Sequence, residues 1–212
     1  MISYTVTVYN EVAEIAKLLH LLKKNKSPED ELIVVQTYKN DEDQNTDIFL
    51  EIQKICKLNA DIYQVFHFQN KFSDMKNYVN SLATRSYIIN LDADELVSDH
   101  TISCWKKAIL ENPDIDLFWV PRINTLDSYT IQDIENYQWN INSNGWINWP
   151  DYQSRICKNL PRIKWYGHVH EHLQGAETQG NLPSDPQLAI IHHKNIEKQR
   201  QQNILYETIS KH

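Results

Sequence analysis

The sequence predicts an α/β fold, a mostly parallel wound sheet flanked by helices, with a smaller antiparallel element in the C-terminal half. Two observations predict the parallel part. Strand-like and helix-like segments alternate at close spacing through the first half of the chain, and one apolar strand-like segment, YIINL, ends abruptly in carboxylates. Such alternation favours right-handed β-α-β units. The antiparallel part is predicted by the shorter strand-like segments of the second half.

The first half consists of strand and helix in turn: ISYTVTVY, EVAEIAKLLHLLKKN, ELIVVQTY, DIFLEIQKICKLNA, DIYQVFHF, SDMKNYVNSLAT, SYIINLDADEL and SDHTISCWKKAILENP. The first helix is predicted to bury a face formed by Val12, Ile15, Leu18, Leu19 and Leu22. The second is predicted to bury Ile48, Ile52, Ile55 and Cys56 in the same way. The last begins at a serine cap and ends before a proline.

The second half has weaker periodicity. We predict one strand over DLFWVPRINTL, two shorter antiparallel strands over QSRICKN and RIKWYGHVHEHL, and a polar helix at 196–212. With 212 residues and 41% hydrophobic content, the chain can bury one sizeable core. We therefore expect a single domain over 1–212, with the terminal helix as a stub toward any further domains.

Bulk composition excludes several classes of protein. A net charge of -7 and a pI near 5.7 disfavour a nucleic-acid binder. No apolar run is long enough to cross a membrane, and the N-terminus begins directly in a strand pattern. We expect a cytoplasmic protein, soluble or peripheral at the membrane face. Cys56, Cys104 and Cys157 have no metal or redox spacing and are interpreted as small hydrophobic residues.

Carboxylates follow the apolar strand YIINL at its carboxyl end. Asp92 and Asp94 are two residues apart, so in an extended chain they share one side and can face a single hard cation. Open parallel sheets bind ligands at this edge. The structural alternative is that Asp92, Asp94 and Glu95 only cap the helix that follows.

The segment LDADE resembles the D-x-D motif of nucleotide-sugar-dependent glycosyltransferases of the GT-A fold, specifically family 2. Other segments resemble this family in the expected order: TVYNE, FSDMKN and VPRIN. PDYQSRICK and WYGHVHEHL resemble elements of its lipopolysaccharide-core branch. The likeness covers roughly residues 2–195, and it implies a nucleotide-binding half at 1–100 and an acceptor-binding half at 101–195.

The resemblance implies an inverting transfer of sugar from a nucleotide diphosphate, assisted by Mn²⁺ or Mg²⁺. A divalent cation stabilises the charge that develops on the leaving diphosphate. The resemblance assigns Asp94 to the metal and Asp92 to both metal and nucleotide. A histidine of IIHHK is expected as a further ligand; we prefer His192 to His193, although the pair can equally be exposed at a strand end.

Nucleotide contacts are expected from the ends of the first strands. Thr7 and Tyr9 point the same way by strand alternation, and the resemblance adds Glu11, Lys76 and Asn77. Each also has an ordinary structural interpretation, as a strand end, a turn or a solvated lysine. The family usually has an aspartate where this chain has Gln36, which offers both a donor and an acceptor. We favour a UDP-sugar donor and a glycan or glycolipid acceptor.

An inverting transfer needs a base to accept the proton of the acceptor hydroxyl. The resemblance makes Glu171 the leading candidate and Asp151 the second. On a strand, Glu171 would face opposite to His168, His170 and His172, whose alternation suggests zinc as a rival interpretation, although alternating histidines are more often surface residues.

Other candidates belong to the acceptor side. Arg122 and Arg155 are assigned to phosphate or acceptor, with structural ion pairs as the alternative. One tryptophan among Trp139, Trp146, Trp149 and Trp165 is expected to stack on a sugar, and we select Trp149. Two other functions stay open: a catalytically degenerate module that binds nucleotide or glycan, and a metal-dependent nucleotidyltransferase or phosphohydrolase. The second is disfavoured because the four glycines form no phosphate-binding loop.

Overall fold

The computed structural model of the protein describes residues 1–168, 171–197 and 199–201. Five α-helices have these bounds: α1 Val12–Asn25, α2 Asp47–Asn59, α3 Phe72–Ser81, α4 Asp99–Glu111 and α5 Ile131–Tyr137. The first six strands are β1 Ile2–Val8, β2 Glu31–Tyr38, β3 Ile62–His67, β4 Tyr87–Asp92, β5 Glu95–Leu96 and β6 Leu117–Val120. The remaining strands are β7 Arg122–Asp127, β8 Gln153–Lys158, β9 Lys164–Tyr166, β10 His172–Gln174, β11 Gln179–Asn181 and β12 Ile190–Asn195.

A seven-stranded sheet with the order β11-β6-β8-β4-β1-β2-β3 forms the centre of the molecule. Strands β4, β1, β2 and β3 run parallel, and β8 runs antiparallel to both β4 and β6. The prediction of a mainly parallel sheet flanked by helices is confirmed. A hairpin of β9 and β10 and a three-stranded sheet, β5-β12-β7, form the smaller antiparallel and mixed parts.

Helical periodicity predicts the buried faces well, with one correction. Ile15, Leu18, Leu19 and Leu22 of α1 are fully buried against the sheet. In α2 the expected Ile48 is 51% exposed, whereas Phe49 is 4% exposed and joins the buried face. The helix begins at the Thr46 cap, which accepts a hydrogen bond from the Phe49 N–H, and the first turn is thereby oriented with Phe49 inward.

The segment DLFWVPRINTL is two strands, not the one that the sequence predicts. Pro121 has no N–H to donate to a ladder and separates β6 from β7. β6 stays in the central sheet beside β8, whereas β7 leaves it and pairs in parallel with β12. The break therefore carries β7 and β12 to the carboxyl end of β4.

The segment RIKWYGHVHEHL forms the short hairpin of β9 and β10 rather than one alternating strand. Gly167 has φ +109 and ends the first strand, and both His168 and Glu171 lie outside the strands. The alternation that placed Glu171 opposite to the histidines is therefore wrong. His170 lies outside the described residues, so the zinc triplet stays a hypothesis.

The predicted terminal helix lies only partly within the described residues. Ile196, Glu197 and residues 199–201 are helical, and the remainder of the predicted terminal helix at 196–212 lies outside the described residues. In the described part of the chain, no helix is long and apolar enough to cross a membrane.

Candidate active site

A cleft of about 770 Å³ opens at the carboxyl ends of β1 and β4, a size typical of small-molecule sites. It gathers most of the residues that the sequence singles out: Thr7, Tyr9, Glu11, Lys76, Asp92, Asp94, Arg122, Asp151, Arg155, Glu171 and His192. Strand ends, helix α3, strand β8 with the segment before it, the β7–β12 pair and the loop between β9 and β10 supply these residues.

Asp92, the last residue of β4, is surrounded by hydrogen-bond donors. Its Oδ1 accepts from Thr7 Oγ1 at 3.2 Å and lies 3.1 Å from Lys76 Nζ. Its Oδ2 accepts from Arg155 Nη2 at 2.8 Å and from Lys76 Nζ at 3.2 Å. Burial opposes ionisation, but Arg155 and Lys76 outweigh it and hold the pKa of Asp92 below its usual range. Both oxygens of this carboxylate are therefore already engaged by cations.

At the cleft floor, two arginines alternate with carboxylates. Arg155 is 2% exposed and pairs with Asp92 and with the fully buried Glu95. Arg122 bridges from Glu95 at 3.2 Å to Asp151, with 2.7 Å between Arg122 Nη2 and Asp151 Oδ2. Buried charges need such partners, because an unpaired one is strongly destabilising. From the sequence, Glu95 has only a possible helix-capping role, because its position beneath the motif is set by the fold.

Asp151, Asn124 and His192 form a chain of hydrogen bonds that leads to Asp94. Asn124 Nδ2 donates to Asp151 Oδ2 at 2.8 Å, and this orients Asn124 Oδ1 toward His192 Nδ1 at 3.0 Å. An ionised carboxylate and an amide oxygen only accept, so Nδ1 carries the ring proton. His192 Nε2 then faces Asp94 Oδ2 at 3.5 Å.

The Asp94–His192 pair fits a divalent cation. Burial lowers the pKa of His192 despite the neighbouring Asp94, so the ring is neutral at neutral pH and Nε2 presents a lone pair. A lone pair and a carboxylate that face each other across 3.5 Å would provide two ligands for such a cation, with Asn124 as the outer partner that orients the ring. Within the described residues, no cluster of three or more His, Cys, Asp or Glu could hold a metal ion. Oxygens of a bound diphosphate would have to complete the coordination.

Glu171 reaches the same cleft from the loop between β9 and β10. Its Oε1 lies 2.9 Å from Lys76 Nζ, and Lys76 also lies over the Trp165 ring, 4.6 Å from its centroid. Lys76 is 5% exposed, so one buried ammonium joins Glu171 to Asp92. The Glu171 carboxylate therefore stands at the cleft wall, ion-paired with Lys76.

Tyr9 follows β1 and also lines the cleft. Lys39 Nζ lies 5.0 Å from the centroid of its ring, and Glu11 Oε2 accepts hydrogen bonds from the backbone N–H groups of Tyr9 and Asn10 at 3.0 and 3.1 Å. Glu11 thereby fixes the turn after β1. The result is a partly exposed ring beside a cation.

Three residues assigned to binding lie outside the cleft lining. Gln36 is fully buried; its Nε2 donates to Phe49 O and its Oε1 accepts from Tyr63 Oη. Asn77 makes two hydrogen bonds, both of 2.9 Å, with the backbone of Trp165, so it anchors the hairpin. Trp149 packs edge-on against Trp146. Each side chain is occupied by a structural contact that local sequence does not reveal.

Cleft residues that the sequence missed include Lys39, Asn124 and Lys194, and the candidate Trp139 lines the cleft although Trp149 was selected. Asn124 stands in VPRIN and Lys194 in IIHHK, segments that had already been singled out. Strand alternation was the available signal for Lys194, which lies two residues after His192. Trp139 stands in a loop region where tryptophans could not be ranked.

Known proteins provide an independent comparison. The profile described as "Glycosyl transferase family 2" matches residues 3–169. Among solved structures, S. aureus TarS 1-349 in complex with UDP has a TM-score of 0.59 at 16% identity, covering 98% of this chain and 64% of that chain. The same protein in complex with UDP-GlcNAc has a TM-score of 0.58 at 18% identity, covering 91% and 58%.

These structural likenesses show the fold, which is that of a GT-A glycosyltransferase, and this chain spans between 58% and 64% of the length of those two TarS chains. No curated protein matches the sequence significantly. The family profile, in contrast, extends over most of the chain and includes every motif up to the Gly167 turn. The protein belongs to glycosyl transferase family 2.

Proposed function

We propose that this protein is an inverting, divalent-metal-dependent glycosyltransferase that moves a sugar from a nucleotide diphosphate donor to a glycan or glycolipid acceptor. The observation that carries the proposal is the Asp94–His192 pair, which presents a carboxylate and an unprotonated imidazole nitrogen to the cleft at the carboxyl end of β4. Mn²⁺ or Mg²⁺ held by this pair would supply Lewis-acid stabilisation of the leaving diphosphate. Asp92 serves instead to hold Lys76 and Arg155 in place.

Other residues of the cleft bind the nucleotide and accept the proton of the acceptor hydroxyl. Tyr9 supplies an aromatic face for the nucleotide base, and Thr7 lies beside Asp92 for the ribose side. An acceptor hydroxyl oxygen attacks the anomeric carbon while the bond from that carbon to the diphosphate oxygen breaks. The hydroxyl proton passes to Glu171, and the nucleoside diphosphate leaves with the bonding electron pair.

Finer features of the donor and acceptor belong to the same proposal. Neighbours of the same fold were solved with UDP and UDP-GlcNAc, which supports a UDP-sugar as the first donor class to test. Trp139, which lines the cleft, replaces Trp149 as the aromatic residue for a sugar ring. Membership in the lipopolysaccharide-core branch, and a role in polysaccharide biosynthesis at the cytoplasmic membrane face, rest on PDYQSRICK and WYGHVHEHL.

The test is nucleotide binding with and without Mn²⁺. In the wild type we expect UDP to bind more tightly with Mn²⁺, and Asp94→Asn to lose that gain while it keeps the fold, because the residue lies at the cleft wall and leaves no core cavity. Calorimetry with UDP, Mn²⁺ and EDTA measures both. Asp127→Asn, which removes an exposed carboxylate at the end of β7, is the matched control.

Three outcomes separate the alternatives. Donor hydrolysis that needs Mn²⁺ and disappears in Asp94→Asn supports a transferase. Mn²⁺-dependent binding without hydrolysis, with or without a panel of glycan acceptors, favours a degenerate module. Release of pyrophosphate or inorganic phosphate instead of nucleoside diphosphate would favour the nucleotidyltransferase or phosphohydrolase. Equal Mn²⁺ dependence in the wild type and Asp94→Asn would refute the metal assignment.

A further inference from the structure

Strand β12 delivers a second functional side chain to the cleft besides His192. Lys194 lies two residues later, so strand alternation puts both side chains on the same side, and both line the cleft. Lys194 Nζ donates to Gln199 Oε1 at 3.3 Å. The ammonium also lies within electrostatic range of Asp94, Asp92 and Glu95. Parallel pairing of β12 with β7 fixes this placement.

The balance of charge around the cleft floor shows why this cation matters. Five carboxylates lie at or directly beneath the floor: Asp92, Asp94, Glu95, Asp151 and Glu171. Three cations are shared between them, and each contacts two carboxylates: Lys76, Arg155 and Arg122. Five negative and three positive charges leave an excess of two negative charges, which repels a diphosphate.

Lys194 reduces the excess of negative charge near Asp94, where that excess is greatest. Among the ion pairs of the described residues, Asp94 pairs with His192 at 3.5 Å and with none of the three shared cations. Lys39, which also lines the cleft, lies over the Tyr9 ring. The Lys194 ammonium, which lies within electrostatic range of Asp94, therefore adds positive charge to this part of the cleft, and an ammonium can donate to phosphate oxygens without a fixed plane.

We propose that Lys194 binds the diphosphate of the nucleotide directly, beside the Asp94–His192 pair, so that part of the preference for a diphosphate survives when divalent metal is removed. This inference rests on the proposed function, because it assumes that a nucleotide diphosphate occupies the cleft. It assigns the leaving diphosphate two separate cations, the metal ion and a lysine of the chain itself. Lys194 contributes to diphosphate binding through charge-assisted hydrogen bonds to phosphate oxygens.

The experiment compares UDP with UMP in EDTA, because only UDP carries the phosphate in question. In the wild type we expect UDP to bind more tightly than UMP without metal. Lys194→Met keeps the aliphatic stem and removes the charge, and the UDP-to-UMP affinity ratio should fall by roughly tenfold, the usual worth of a hydrogen bond to a charged group. Lys194→Arg should keep most of the ratio, and UMP affinity should stay the same in all variants.

Lys107→Met is the matched control, because Lys107 is a 72% exposed lysine on α4 that pairs with Glu111. Thermal denaturation confirms that each variant is folded, and if Lys194→Met does not fold, Lys194→Gln replaces it. An unchanged ratio in a folded neutral variant, an equal loss in Lys194→Arg, or a wild-type ratio of one in EDTA overturns the inference alone. Wild-type protein that binds neither UDP nor GDP, even with Mn²⁺, overturns the proposed function and this inference with it.

Discussion

At the scale of single residues, the carboxylates of the cleft differ in what they already contact. Asp92 and Asp151 each accept several hydrogen bonds from cations or amides. Asp94 faces a neutral imidazole, and Glu171 contacts Lys76 at the cleft wall. Under the proposed function, these different partners assign carboxylates of the same intrinsic chemistry to structure, metal binding and proton transfer.

Glu171→Gln tests the assignment of the base. The substitution keeps size and hydrogen-bonding capacity but removes basicity, so we expect transfer or donor hydrolysis to fall by roughly two to four powers of ten. UDP affinity in the presence of Mn²⁺ should stay close to that of wild type, since Lys76 keeps its ion pair with Asp92 when its ion pair with Glu171 is lost. Steady-state rates and calorimetry measure the two quantities.

Asp151→Asn is the companion variant. Its carboxylate accepts from Arg122, Asn124 and Gln153, and although burial raises its pKa, Arg122 and Asn124 outweigh burial and hold it below the ordinary value. An anion so well stabilised is a weak base, so the loss of rate should be smaller than in Glu171→Gln. Near-normal turnover in Glu171→Gln together with a collapse in Asp151→Asn would transfer the role to Asp151.

At the scale of elements, the hairpin of β9 and β10 positions both Glu171 and Trp165, the residue whose ring lies beneath Lys76. Asn77 of α3 holds the hairpin through two hydrogen bonds to Trp165, and Ser154 Oγ accepts from the Leu173 N–H at 3.0 Å. Gly175 follows β10 with φ +91, and an added Cβ would lie 2.0 Å from Arg162 O. The close backbone approach at this turn therefore determines the position of the hairpin, which forms one wall of the cleft.

Gly175→Ala should destabilise the protein by roughly 2 to 4 kcal/mol, because left-handed strain and a backbone clash act together. Two glycines provide graded controls. Gly145 has φ +76 and an open space around the added Cβ, so Gly145→Ala should cost about 1 kcal/mol. At Gly180 the nearest atom would be 3.8 Å away, and Gly180→Ala should change stability by less than about 0.5 kcal/mol. Urea denaturation ranks the three, and equal effects would contradict the turn geometry.

At the scale of the whole molecule, the sequence predicts the sheet and its acidic edge but not the partners across the cleft. Thr7 and Asp92 could be placed because period-two alternation and the carboxyl-edge rule are local. The link from His192 through Asn124 depends on β7 leaving the central sheet at Pro121 to pair with β12. Long-range pairing of this kind has no local signal. The buried position of Gln36 was not predicted for a related reason, since its hydrogen-bond partners Phe49 and Tyr63 come from other elements.

Acid stability of the whole fold should depend on Asp30, a 5% exposed carboxylate at the end of the sheet away from the cleft. Asp30 accepts from the Ile2 N–H at 2.8 Å, the Ser27 N–H at 2.9 Å and Lys106 Nζ at 3.1 Å, and so ties β1 to α4. Burial opposes ionisation, but these hydrogen bonds outweigh it and lower the pKa of Asp30 below its ordinary value.

The unfolded chain has the ordinary pKa of about 3.9 and takes up the proton first as pH falls, so the stabilisation is complete above about pH 5 and is lost toward the lower folded pKa. Asp30→Asn should therefore lower the free energy of unfolding at pH 7 by roughly 1 to 3 kcal/mol and flatten its decline between about pH 5 and 3. Denaturation at pH 7, 5 and 3 measures this, with the exposed Asp114→Asn as the charge-matched control. If both variants lost stability equally, or if Asp30→Asn declined as steeply as wild type, the stabilising role of the ionised Asp30 would be wrong.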